Sequence, residues 1–364
     1  MAGKYDFLLV SNRPRCESFI EDVMGKEPVF ICVVATTETA KIPGLSAAGK
    51  YPELTDYTPP ADVELIFYGG CRCIQGVPVT PEGIPTPALI TMSALKLAEI
   101  PCFVVSGGLR VKPHLPIVEV GGKHGFDIRT GKAVEGVEEI VDRARVAGES
   151  FSKVADYLVI GESIPGGTTT ALGVMLAMGV DARGKVSSSM PSNPHQLKLK
   201  VVEEGMSSAG IGFGDFREDG LRAVACVGDP MIPAFAGLVL GAAGRVPVML
   251  AGGTQMGAVL SFVKAMDPRM LRNLVVGTTR WIVEDSTSDL KGIVRQIGRV
   301  GVLAADLDFS GSKHAGLRAY EDAVVKEGVG AGGVCIAAML KSRGLITKES
   351  LLREVEKNYR RLVA

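Results

Sequence analysis

The chain is poor in aromatic residues. Phe, Tyr and Trp make up 5% of its 364 residues, with a single Trp. That is too few for the base-stacking platform of a single-strand nucleic-acid binder. It also lacks net charge, because 40 Lys and Arg balance 40 Asp and Glu. Without a basic field, sequence-independent attachment to a phosphate backbone is disfavoured, and no nucleic-acid partner is expected. No C-x-x-C pair occurs among the seven cysteines, an odd count with several inside apolar runs. Reduced, mostly buried cysteines of a cytoplasmic protein are expected. Cys71 and Cys73 are the closest pair, and no second pair or nearby His completes a metal motif. No apolar stretch reaches the roughly 18–20 residues that span a bilayer, so no membrane partner is expected. The N-terminal MAGKYDFLLVSNRP reads as a first strand rather than a signal peptide.

Glycine is abundant, at 45 residues, which suits many short turns. Near-continuous apolar runs recur at Asp6–Ser11, Val29–Ala35, Val63–Tyr68, Cys102–Val105, Tyr157–Gly161, Ala223–Val227, Val246–Leu250, Leu274–Gly277 and Val302–Ala305. Such runs mark strands buried on both faces of a parallel sheet. Helical patterns fall between many of them, at Ala88–Leu97, Val137–Ala155, Thr169–Met178, Gln196–Glu204, Ala234–Ala243 and Gly257–Ala265. The alternation predicts an α/β fold with a doubly wound, mostly parallel sheet and helices on both faces. Ligands then sit at the carboxyl ends of the strands. Residues 1–320 would form this domain and residues 321–364 a C-terminal helical part completing the site. Turn signals in GGKH and RTGK predict a small β-hairpin insertion over residues 117–134. Lys41–Pro60, with four prolines and no period, reads as a surface loop.

The densest motif is GESIPGGTTT, Gly161–Thr170. An apolar run ends in a carboxylate, Glu162, then a glycine pair, then threonines that open an apolar helix. Gly166 and Gly167 allow close backbone approach. Thr168 and Thr169 can cap the helix, and its free N–H groups suit a phosphate. The spacing approaches a P-loop, but Gly167 stands where the phosphate-binding lysine belongs. A second constellation is KEGVGAGG, residues 326–333, where Glu327 is followed by Gly328 and Gly330. Its plain reading is a helix C-terminal turn, and its chemical reading is a carboxylate facing a cleft. A third is GDPMIPAFAG, Gly228–Gly237, followed by PVMLAGG.

In this order the three motifs resemble nicotinate-nucleotide–dimethylbenzimidazole phosphoribosyltransferases. The family's G-E-M-G-I-G-N-T-T is mirrored, without a gap, by Gly161 through Thr169. Its G-E-G-x-G-A is mirrored by Lys326-Glu327-Gly328-Val329-Gly330-Ala331. Its A-G-x-x-L helix and P-V-x-x-D-G turn look like Ala236–Leu240 and Pro247–Gly252. Its phosphate-contacting lysine is best matched by Lys200, before Val201. The likeness covers roughly Tyr157–Cys335. Departures stand at Ala251 (an aspartate in the family), at Met231 (an acid, displaced here to Asp229) and at Ile164 (a glycine). The N-terminal TTETAKIPG and PELTDYTPPADVEL look like a chiefly archaeal group related to this transferase.

What the resemblance implies is phosphoribosyl transfer from nicotinate mononucleotide to a benzimidazole-type base, giving α-ribazole phosphate for the lower ligand of a cobamide. Glu327 would be the general base and Glu162 would stabilise the developing cation on the ribose. Gly166, Gly167, Thr168, Thr169, Lys200, Gly328 and Gly330 would bind the nucleotide and its phosphate. Loops of the first 150 residues, with Thr37, Glu38, Thr39, Glu82, Gly107 and Arg110, would form the acceptor pocket. No cofactor and no metal is implied; the acidic pair Asp306 and Asp308 lacks a following phosphate loop. A homodimer is expected. The competing classes are a nucleotide-binding sensor without turnover and a degenerate P-loop ATPase.

Overall fold

The computed structural model describes residues 5–46, 52–76, 78–80, 83–190 and 192–363. Eight strands form one sheet: β1 Phe7–Ser11, β2 Pro28–Ala35, β3 Cys102–Gly108, β4 Val118–Glu119, β5 Tyr157–Ser163, β6 Val248–Ala251, β7 Leu274–Thr279 and β8 Gly301–Ala305. Their order is β1-β8-β7-β6-β5-β2-β3-β4. Every pairing is parallel except that of the edge strand β1 with β8. The chain winds outward from β2 to β3 in one direction and from β5 through β8 in the other. The reversal lies between β2 and β5, the crevice where doubly wound sheets bind ligands.

β2 is buried along its whole length. Val29, Ile31, Val33 and Ala35 point into one core, and Phe30, Cys32 and Val34 into the other. Two-sided burial explains the unbroken apolar runs. On the first face lie the helices Val137–Phe151, Gly167–Ala177, Met231–Ala242 and Met256–Met266; on the second lie Ala88–Ala98 and Ala331–Lys341. The Val137–Phe151 and Met231–Ala242 helices approach through glycine. A Cβ at Gly237 would stand 2.6 Å from the Val141 carbonyl oxygen. The seven cysteines are all free.

Two expected strands are helices. Val63–Tyr68 belongs to the helix Thr58–Tyr68, which starts on Pro59 and Pro60 and ends on left-handed Gly69. Proline in the first turn and glycine just past the last are helix punctuation. Asp62, Val63, Glu64 and Leu65 are all buried, so no polar face reveals a helical period. Ala223–Val227 lies in the helix Gly220–Val227, where the Asp219 side chain caps the Arg222 N–H. Its buried positions 220, 223, 224 and 227 recur with the helical period.

The hairpin over 117–134 does not form. Its one strand, β4, pairs in parallel with β3. Gly121 packs against the backbone of Gly107 so closely that no Cβ would fit. The Gly125 N–H donates to the Thr36 carbonyl at 2.8 Å, and the Glu38 N–H donates to the Gly125 carbonyl at 2.9 Å. The backbone groups of Gly125 are thus taken by residues at the exit of β2, and within the segment, among the described residues, only turn bonds and the Phe126 N–H to the Ala133 carbonyl at 2.8 Å remain, with no antiparallel ladder. Lys41–Pro60 carries a 3₁₀ turn, Pro52–Asp56, and the start of the Thr58–Tyr68 helix. Among the described residues no helix is long and apolar enough to cross a membrane.

Candidate active site

A cleft of about 1020 Å³, counting its part open to solvent, lies at the carboxyl end of β5. Glu162, next to last in that strand, and Gly166 to Thr168 line it, and Lys326 to Val329 form another wall. Two motifs 165 residues apart therefore share one cavity. The joint between them is specific. The Val329 N–H donates to the Glu162 carbonyl at 2.9 Å. A Cβ on Gly161 would stand 2.8 Å from the Gly330 Cα, so only glycine allows this approach of loop to strand. Gly330 takes a left-handed φ of 69° and starts the helix Ala331–Lys341.

Glu327 sits at that helix start. Its carboxylate accepts the N–H of Gly328 at 3.1 Å and of Gly332 at 3.2 Å. Burial pushes its pKa up to about 7 against these backbone donors. Glu162 is 3% exposed and accepts the Gln255 amide at 3.0 Å. Burial first, then the charges of Glu327 and Asp229, raise its pKa well above the usual carboxylate range. Both carboxyl groups thus bind their protons more tightly than ordinary glutamates, and perturbed groups of this kind gather at functional sites. A third buried carboxylate, Asp62, accepts hydroxyls from Thr86 and Ser163, each at 2.7 Å. Burial raises it to about 6.

The helix Gly167–Ala177 opens toward the cleft with Gly166 at φ 76°. Its first N–H groups and dipole favour an anion. Gly166, Gly167 and Thr168 line the cavity; Thr169 is buried with its hydroxyl unpaired. Lys198, not Lys200, meets this loop. Lys200 is exposed, whereas Lys198 is fully buried. Its ammonium donates to the Thr168 hydroxyl at 3.0 Å and to the Ser187 carbonyl at 2.6 Å. Burial, then the charge of Lys326, pushes its pKa down to about 7. Gly328 lines the cleft, while Gly330 is buried against Phe30 and Gly161.

Of the expected acceptor residues, Thr37, Glu38, Thr39, Gly107 and Arg110 do not line the cleft. The hydroxyls of Thr37 and Thr39 both donate to the Phe126 carbonyl. Gly107 packs on the Pro230 backbone. Arg110 pairs with Glu38 and, at 3.4 Å, with Asp56. These side chains hold the exits of β2 and β3 together and spend their polar groups on one another. Glu82 lies outside the described residues, but Thr80, Ile84, Thr86 and Pro87 of its loop do line the cleft. Leu45, Thr58, Pro78 and Val79 complete an apolar wall there.

Asp62, Lys198, Gln255 and the Ser187–Ser189 run had no motif to mark them. The only available signals were acids and lysines inside apolar segments, where burial requires a partner. Among the described residues no group of three or more His, Cys, Asp or Glu is placed to hold a metal ion. Asp306 is bound by Arg280 and Lys348, and Asp308 caps Ser310.

This mostly parallel sheet, with a glycine-threonine loop and two buried carboxyl groups at its switch point, defines a doubly wound α/β protein. A family model described as Phosphoribosyltransferase matches residues 132–281. The chain belongs to the UPF0284 family. It is 49% identical over 327 residues to the UPF0284 protein of Methanothermobacter thermautotrophicus, covering 89% of this chain and 90% of that one. With the Pyrococcus furiosus member it shares 45% over 337 residues, covering 92% and 99%. The crystal structure of the nicotinate-nucleotide-dimethylbenzimidazole phosphoribosyltransferase from Thermus thermophilus has the same fold. It matches with a TM-score of 0.54 at 18% identity, over 94% of each chain.

Proposed function

We propose that this protein transfers the phosphoribosyl group of nicotinate mononucleotide to a benzimidazole-type base. The observation that carries the reading is the meeting of Glu162 and Glu327 beside the Gly166–Thr168 loop, in one cleft. The 5′-phosphate rests on that loop and Lys198. The ribose lies against Glu162. The acceptor occupies the apolar wall of Val79, Ile84 and Pro87. One ring nitrogen of the acceptor attacks the anomeric carbon as the bond to nicotinate breaks, its electron pair leaving with the nicotinate ring. That ring is cationic in the donor, so it departs without a proton. Glu327 takes the proton from the acceptor's other nitrogen. Glu162, in its ionised form, stabilises positive charge developing on the ribose. Alignment of both substrates supplies much of the acceleration.

A product assay tests this. The protein is incubated with nicotinate mononucleotide and a panel of benzimidazoles and purines. Mass spectrometry should find free nicotinate and a new α-ribotide in equal amounts. Binding of the donor with no nicotinate released from any base would refute the transfer. That outcome would favour the second reading, a nucleotide-binding sensor. What speaks for the sensor is Ala251, buried against Gly333 where the resembled family carries an aspartate.

A further inference from the structure

The KEG turn of this chain carries a lysine where the G-E-G pattern has glycine. Lys326 is 4% exposed and lines the cleft. Its ammonium donates to the Ser188 carbonyl at 3.1 Å and pairs with Asp285 at 3.3 Å. An ammonium has three donors, so one N–H of Lys326 has no partner among the described residues. The same count holds for Lys198, whose partners are Thr168 and Ser187. With both lysines protonated, the trio of Lys198, Lys326 and Asp285 carries one positive charge in excess and two unused donors, inside a wall lined by Thr168, Ser187, Ser188 and Ser189. Buried cations without counter-ions are costly. The depression of the Lys198 pKa to about 7 is the mark of that cost.

We propose that Lys326 is a second cationic contact of the anion subsite, and that the subsite selects a doubly charged phosphomonoester over a singly charged anion. The proposal rests on the reading that a phosphorylated ligand occupies the cleft. Asp285 is the counterweight. Burial opposes its ionisation, but hydrogen bonds from Thr287 and the charge of Lys326 hold its carboxyl below the usual range. It holds the lysine in place when the subsite is empty and weakens the lysine's pull on a ligand.

Calorimetry at pH 7.5 with two probes tests the proposal. Methyl phosphate is doubly charged there and dimethyl phosphate singly charged. Lys326→Met should weaken methyl phosphate about 10- to 100-fold, the range of one charge-assisted hydrogen bond, and move dimethyl phosphate far less. Asp285→Asn should tighten methyl phosphate. If Lys326→Met fails to fold because Asp285 is left unpaired, the double variant Lys326→Met/Asp285→Asn removes both charges and should show the same loss of selectivity. Unchanged selectivity in the lysine variants, weaker binding in Asp285→Asn, or no binding of methyl phosphate by the wild type would each overturn the proposal. Nicotinate release with an unchanged KM for the mononucleotide in Lys326→Met would remove it and leave the transfer reading. Lysine-dependent methyl phosphate binding without any nicotinate release would do the reverse.

Discussion

Glu327→Gln separates catalysis from stability at one atom pair. The carboxyl group titrates near 7 in the fold against 4.5 as an ordinary glutamate. That difference corresponds to about 3 kcal/mol between its two protonation states. Between pH 4.5 and 7 the folded protein holds this proton and the unfolded chain does not. The stabilisation is complete below the unfolded value and is lost as pH rises through the folded one. The wild type should therefore lose stability over this interval through Glu327, and the glutamine variant should not. At pH 8 Glu327→Gln should be the more stable protein, by up to about 3 kcal/mol. One opposing effect reduces the gain. The carboxylate accepts from Gly328 and Gly332, and an amide must turn its single oxygen to them. Turnover moves the other way. A base must be ionised, so nicotinate release should fall about tenfold per pH unit below 7. In the variant it should be lower by about 10²–10⁴-fold and lack that limb. Urea unfolding at pH 5 and 8, with the product assay across the same range, reads both. A variant less stable than wild type at pH 8, or one with near wild-type turnover, refutes the reasoning.

Lys198→Met should weaken nicotinate mononucleotide at least about 10-fold through loss of a charged hydrogen bond, whereas Lys200→Met should leave it within error; equal effects would return the phosphate to Lys200. Gly161→Ala should cost about 1–3 kcal/mol in thermal unfolding, because its methyl meets the Gly330 Cα at 2.8 Å and backbone must move. An unchanged melting temperature would show that the loop has slack. Gln255→Met removes the amide that donates to Glu162, so the Glu162 pKa should rise further and shift the pH profile of kcat upward. A profile superimposable on the wild type would deny Gln255 a role in positioning that carboxyl group.

Seven of the nine expected strands lie where consecutive apolar residues placed them, because burial on both faces writes itself into every residue of a run. The same rule misread Val63–Tyr68. A helix enclosed on all sides also has no polar stripe, and there the proline pair and Gly69 were the better signal. At the site, Glu162, Glu327 and the Gly166–Thr168 loop were legible because glycines beside a carboxylate leave a local imprint. Lys198 was not. It differs from Lys200 by two positions on one helix, and the turn of that helix buries the first and exposes the second. The supposed acceptor residues show the converse limit. Thr37 and Arg110 sit after strands, as pocket residues do, yet their hydrogen-bonding capacity is consumed by Phe126, Glu38 and Asp56.

The sequence by itself determined the layered α/β class, the place of the glycine-threonine loop and the glycine-flanked positions of Glu162 and Glu327, since each depends on neighbours a few residues apart. Only the tertiary structure decided that the carboxylates share a cleft, through the glycine contact of residues 161 and 330. It also decided which lysine is buried, and that Asp62 with Pro78, Val79, Thr80, Ile84, Thr86 and Pro87 lines the cavity in place of the residues after β2 and β3. Those outcomes depend on which backbone and side-chain donors remain unspent after packing, a balance struck between segments as far as 138 residues apart.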